Sequence, residues 1–75
     1  MALYPRLKDL REDHDLTQSE VAKILFTTQQ QYSKYETGYR EIPTAMLITL
    51  ADYYNTSVDY ILGRTNDPAP IKKTR

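Results

Sequence analysis

Seventy-five residues, 40% apolar and without cysteine, make one small domain. That inventory excludes a disulfide framework and cysteine-built zinc sites. A single histidine, His14, cannot build a metal centre alone, and no apolar run suits a membrane span or a signal peptide. Ten basic and ten acidic side chains give zero formal charge, so bulk electrostatics does not announce a nucleic-acid partner, and any affinity for DNA must rest on few phosphate contacts.

The elements follow in chain order. Pro5 suits a helix first turn, and Leu7 and Leu10 recur at helical spacing up to His14, with Leu3 extending the stripe. Asp15 breaks that pattern. Thr17-Gln18-Ser19-Glu20 has the form of a capping box, followed by Val21, Ala22, Ile24 and Leu25 on one apolar face. A helix this short is unstable alone and must be packed by its neighbours. Phe26-Thr27-Thr28 interrupts it, and Thr28-Gln29-Gln30-Gln31 reads as a second box opening a third helix to about Glu36. There Tyr32 and Tyr35 face inward and Gln29, Gln30, Ser33 and Lys34 point elsewhere. Gly38 is a suitable left-handed terminator. After a loop over Tyr39–Pro43, Thr44 is expected to cap a fourth helix reaching Tyr54, with Leu47, Leu50, Ala51 and Tyr54 on one face. Ser57 caps a short fifth helix, Val58–Leu62, stopped by Gly63. Residues 64–75, with two prolines and the basic Lys72, Lys73 and Arg75, read as a mobile tail after a domain over residues 1–63.

Two short helices with a three-residue joint, the second polar on its outer face, describe a helix-turn-helix. Val21, Ala22, Leu25 and Tyr32 supply the seam between them. The second helix then offers water a row of amides and hydroxyls in place of the usual Glu/Lys pairs. Such a row suits base edges: glutamine can bond adenine through N6 and N7, and a threonine methyl can pack on the thymine methyl. Enzyme chemistry finds no cysteine, no nucleophile–base pair and no glycine-rich phosphate loop, and no cofactor is expected.

The segment LTQSEVAKILFTTQQQYSKYETG, followed by IP, a leucine-rich helix and TSVDYILG, resembles the Cro/repressor-type (XRE-like) helix-turn-helix family over residues 4–63. The resemblance implies an all-α, compact five-helix bundle with the helix-turn-helix at its second and third helices. It also implies roles. Gln18 grips a phosphate, and Thr28, Gln29 and Gln30 reach bases. Gln31, Ser33 and Lys34 reach further bases or flanking phosphates, and Arg40 touches the DNA backbone. Arg11 and Glu36 form a structural ion pair, and Val58, Tyr60 and Ile61 pair two subunits. Double-stranded DNA is the implied partner of a homodimer, with RNA polymerase or a regulatory protein as further partners, in the cytoplasm of a bacterium or of a phage-infected one. An alternative within the same fold is a protein-interaction module, an antitoxin or anti-repressor. This chain departs from the family at Phe26, where glycine or asparagine is favoured. A bulky residue there either carries a strain of about 1 kcal/mol or reshapes the turn. The loop Tyr39-Arg40-Glu41-Ile42 is poorer in Lys and Arg than in phage relatives, and Tyr39 and Tyr53 look exposed without an assigned role.

Overall fold

A computed structural model describes residues 3–70 and, among them, contains helices and no strand. The helices are α1 (Pro5–Asp13), α2 (Gln18–Ile24), α3 (Gln29–Glu36), α4 (Thr44–Tyr53) and α5 (Val58–Leu62). Lys72, Lys73 and Arg75 of the basic end lie outside the described residues. The all-α architecture expected from the sequence is the one formed.

Each helix begins where its sequence allows an unpaired N–H to be satisfied. Pro5 is the first residue of α1, where an N–H would have no helical partner. At α2 the capping box is complete: Thr17 Oγ1 accepts from the Glu20 N–H at 3.1 Å, and Glu20 Oε1 accepts from the Thr17 N–H at 2.8 Å. At α3 only half of the expected box forms. Thr28 Oγ1 accepts from the Gln31 N–H at 3.1 Å, whereas Gln31 Oε1 is buried without a hydrogen bond. Thr44 does not cap α4. Pro43 precedes the helix in extended geometry (φ −62°, ψ 145°), and its carbonyl accepts from Met46 and Leu47, so Thr44 becomes the first helical residue. Ser57 caps α5 through the Tyr60 N–H, and Gly63 (φ 82°) closes it.

Leu7, Val21, Tyr32, Leu50 and Ile61 form the fully buried centre. α5 packs against both α1 and α4. That placement corrects one expectation: Ile61 is 0% exposed and belongs to the core, so it cannot meet a second subunit. Val58 and Tyr60 stay half-buried. A second correction concerns residues 64–70, which are tied to the body. The Arg6 guanidinium donates to the carbonyls of Tyr60 and Thr65 and to Asn66 Oδ1, with its carbon 4.0 Å above the Tyr60 ring. Thr56 Oγ1 donates to the Pro68 carbonyl at 2.6 Å. A basic fork that finds several acceptors in one place overrides the disorder that two prolines suggest.

Phe26 takes the left-handed conformation at φ 57° with its side chain 96% exposed. The turn therefore keeps its shape, and the backbone at Phe26, with its Cβ, carries the strain. The Phe26 and Thr27 N–H groups donate to the carbonyls of Lys23 and Ala22, closing α2, and this pattern holds the residue in place. Asparagine tolerates the conformation far better, and no packing is lost on removing the ring. Phe26→Asn is expected to raise the unfolding free energy by about 1 kcal/mol. Urea denaturation followed by circular dichroism checks this; an unchanged or lowered midpoint contradicts it.

Candidate nucleic-acid interface

Helix α3 is fixed by its inward residues. Tyr32 is fully buried, Tyr35 nearly so, and Val21 and Ala22 of α2, with Leu25 at its C-terminal cap, complete the seam. With those positions committed, helical spacing turns the start of α3 outward. Thr28, Gln29 and Gln30 are exposed, and Ser33 and Lys34 are half-buried. Gln31 departs from its expected role as a full member of the row, because it is half-buried and its Oε1 is sealed from solvent.

A chain of polar contacts runs from the interior to this row. Arg11 Nε donates to Glu36 Oε2 at 2.6 Å, and Arg11 Nη2 to Glu36 Oε1 at 3.3 Å. The two side chains are 13% and 4% exposed, so this is a buried pair. Arg11 Nη1 also donates to the Leu16 carbonyl at 2.9 Å, fixing the loop that enters α2. Gln18 Nε2 donates to Glu36 Oε1 at 3.1 Å, and Gln29 Nε2 donates to Gln18 Oε1 at 2.8 Å. The first residues of α2 and α3 are thus joined side chain to side chain, and both are tied to α1.

The electrostatics agree with the geometry. Burial alone pushes the Glu36 carboxyl up. The donors from Arg11 and Gln18, with the Tyr32 hydroxyl facing the same group, outweigh it and leave Glu36 below its ordinary 4.5. Burial, reinforced by the Glu36 charge, pushes Tyr32 upward and Tyr54 up to about 12, so both phenols stay neutral. Neither buried hydroxyl completes a hydrogen bond.

The flank beyond α3 holds two cations. Lys34 Nζ lies 5.9 Å from the centre of the exposed Tyr39 ring, and the Arg40 N–H donates to the Lys34 carbonyl, leaving the exposed Arg40 side chain beside it. Sequence reasoning missed the Gln18–Gln29 bridge. Its signal was present: both residues open adjacent helices of a tight turn. It also missed Tyr39 as the support for Lys34.

A family model described as Helix-turn-helix matches residues 7–61, from the first buried leucine of α1 to the core residue of α5. The chain belongs to this helix-turn-helix family, of the Cro and XRE type. Among curated proteins it is 42% identical over 65 residues to the uncharacterized HTH-type transcriptional regulator YobD of Bacillus subtilis, covering 87% of this chain and 58% of that protein. It is 41% identical over 64 residues to the HTH-type transcriptional regulator ImmR of the same organism (85% and 50%). It is 32% identical over 66 residues to the antitoxin PezA of Streptococcus pneumoniae (88% and 42%). The chain spans about half the length of the curated relatives it matches. Within this helix-turn-helix, the polar row occupies the outer side of the second motif helix, and the Arg11–Glu36 pair braces that helix from behind.

Removing one partner of a buried ion pair leaves the other charge uncompensated. Arg11→Ala is expected to lower the unfolding free energy by about 3–5 kcal/mol, while the apolar double replacement Arg11→Met with Glu36→Leu recovers most of the loss. Chemical denaturation of the three proteins checks this; a double variant as weak as the single one contradicts it. The sign of the acid response follows from the lowered Glu36 pKa. Stability from this group is fully present above 4.5 and drains as pH falls through the lower folded-state value. Thermal melts below pH 4.5 are expected to fall more steeply in the parent than in Glu36→Gln; parallel curves contradict the assignment.

Proposed function

We propose that this chain is a small sequence-specific DNA-binding transcriptional regulator that inserts α3 into the major groove. The observation that carries the reading is the outward pair Gln29 and Gln30, with Gln29 held by Gln18. An amide places a donor and an acceptor side by side, which matches the N7 and N6 pattern of adenine. In this reading Thr28 contacts bases beside the two glutamines, Ser33 reaches flanking bases or phosphates, and Lys34 grips a flanking phosphate. Gln18 and Arg40 hold the backbone, and Gln31 contributes through its exposed portion alone. The relatives named as transcriptional regulators support the assignment.

One copy of α3 covers few base pairs, so the chain binds a pseudo-palindrome as a homodimer with half-site centres ~34 Å apart. Val58 and the exposed Ile48 share one groove and supply the apolar part of the subunit contact, with Tyr60 at its edge. The protein works in the cytoplasm by occupancy, blocking or touching RNA polymerase, without catalysis. No helix among the described residues is long and apolar enough to cross a membrane.

A second reading, a protein-interaction module, is favoured by the match to an antitoxin and by zero net charge. Salt separates the two, since groove binding through phosphates weakens steeply with ionic strength and discriminates against altered half-sites.

Sites selected from a random duplex pool, titrated at several salt concentrations, test the assignment. Gln29→Ala and Gln30→Ala are each expected to lose about 1–3 kcal/mol and to relax preference at one base pair. Lys34→Ala and Arg40→Ala weaken all sequences alike and reduce the salt slope by about 1 each. Glutamine variants with unaltered affinity and preference overturn the base-reading role. Failure to bind any duplex at low salt, with tight binding to another protein, favours the second reading.

A further inference from the structure

We propose that Glu36 is a specificity-determining positioning residue: its buried carboxylate fixes the direction of the amide chain ending at Gln29 and biases that residue toward adenine over guanine. The inference rests on the base-reading role of Gln29 proposed above.

A carboxylate has acceptors and no donor. Glu36, 8% exposed and already paired with Arg11, can therefore bond Gln18 in one way, by receiving its Nε2. Gln18 then turns Oε1 toward Gln29, whose Nε2 donates to it. One N–H of Gln29 is consumed in that bond. What remains for a base is one N–H and the Oε1 acceptor.

This remainder fits adenine, whose major-groove edge has the N7 acceptor and the N6 donor. Guanine shows two acceptors, N7 and O6, and requires two donors. If Gln18 were reversed, its Nε2 would donate to Gln29 Oε1 and free both N–H groups of Gln29, the pattern that tolerates guanine. The charge on Glu36 forbids that reversal. Direction is thus imposed from the interior, by a residue that touches no base.

The test compares adenine with guanine at one site. Gln29→Ala first identifies the base pair that Gln29 reads, as the position where its preference disappears. Glu36→Gln keeps shape and removes the charge, so an amide that can both donate and accept allows either direction. The adenine-to-guanine affinity ratio at that position is expected to fall by about tenfold, and at least threefold. The ratio at the position read by Gln30, which lies outside the chain, is expected to hold. Arg11→Met with Glu36→Leu serves as a second variant that retains the fold and removes the acceptor, and the same selective loss is expected. Circular dichroism establishes which variant is folded at the assay temperature.

A ratio that stays within threefold in a folded variant overturns the role of Glu36 and leaves the reading by Gln29 standing. Equal loss at both positions also overturns it, because that signals a displaced helix and no directed chain. If Gln29→Ala removes no preference anywhere, the base-reading role falls and this inference falls with it.

Discussion

The buried contact between Arg11 and Glu36 organises the molecule. It joins α1 to the last residue of α3, and through the Leu16 carbonyl it also sets the entry to α2. The three elements of the motif are thereby referred to one fixed point. Neither α2 nor α3 is long enough to persist alone. Their relative placement is decided by the apolar seam on one side and by this ion pair on the other. A salt bridge in such a place contributes less to net stability than its Coulomb energy suggests, because both charges were desolvated. It contributes direction, since few arrangements of α3 keep both carboxylate oxygens supplied with donors.

Much of this was legible in the sequence because the signals were local. The Thr17 and Ser57 caps, Gly38 and Gly63, and the tyrosines three apart each specify conformation or facing within a single turn of chain. The boundaries that differed are those where two neighbours compete for one task. Pro43 displaces Thr44 as the residue before α4 because its carbonyl is already aimed at two N–H groups. Gln31 turns inward and does not complete the second box. Ile61 and the segment after Gly63 were illegible for another reason: part of their surroundings is set by α1, more than fifty positions away, through Arg6 and the packing of α1 on α5. No local pattern encodes what a distant guanidinium will accept.

Zero net charge and an exposed phenylalanine in the turn have a common consequence. A chain whose acids equal its bases in number gains little from long-range attraction to a polyanion, so the recognition proposed above rests on well-placed short-range groups. Placement is what the strained turn secures. Phe26 holds the left-handed conformation that a bulky side chain disfavours, and the carbonyls of Ala22 and Lys23 hold it there. The angle between α2 and α3 is therefore retained against the local preference of the residue, which places the requirement for that angle in the packing.

The same logic extends to the opposite end of the molecule. Arg6 donates to the Tyr60 carbonyl of α5 and to Thr65 and Asn66 in the segment that follows, and stacks on Tyr60. Pro70 then returns to the groove lined by Ile48 and Val58. The direction in which the chain leaves α5 is thus set by α1, which also carries Arg11. One helix carries both anchors, Arg6 near its start and Arg11 near its end, and they fall on different neighbours because five residues at roughly 100° each leave the two side chains about 140° apart around the helix. α1 contributes none of the side chains proposed for the groove, yet it fixes both the orientation of α3 and the direction in which the chain leaves α5.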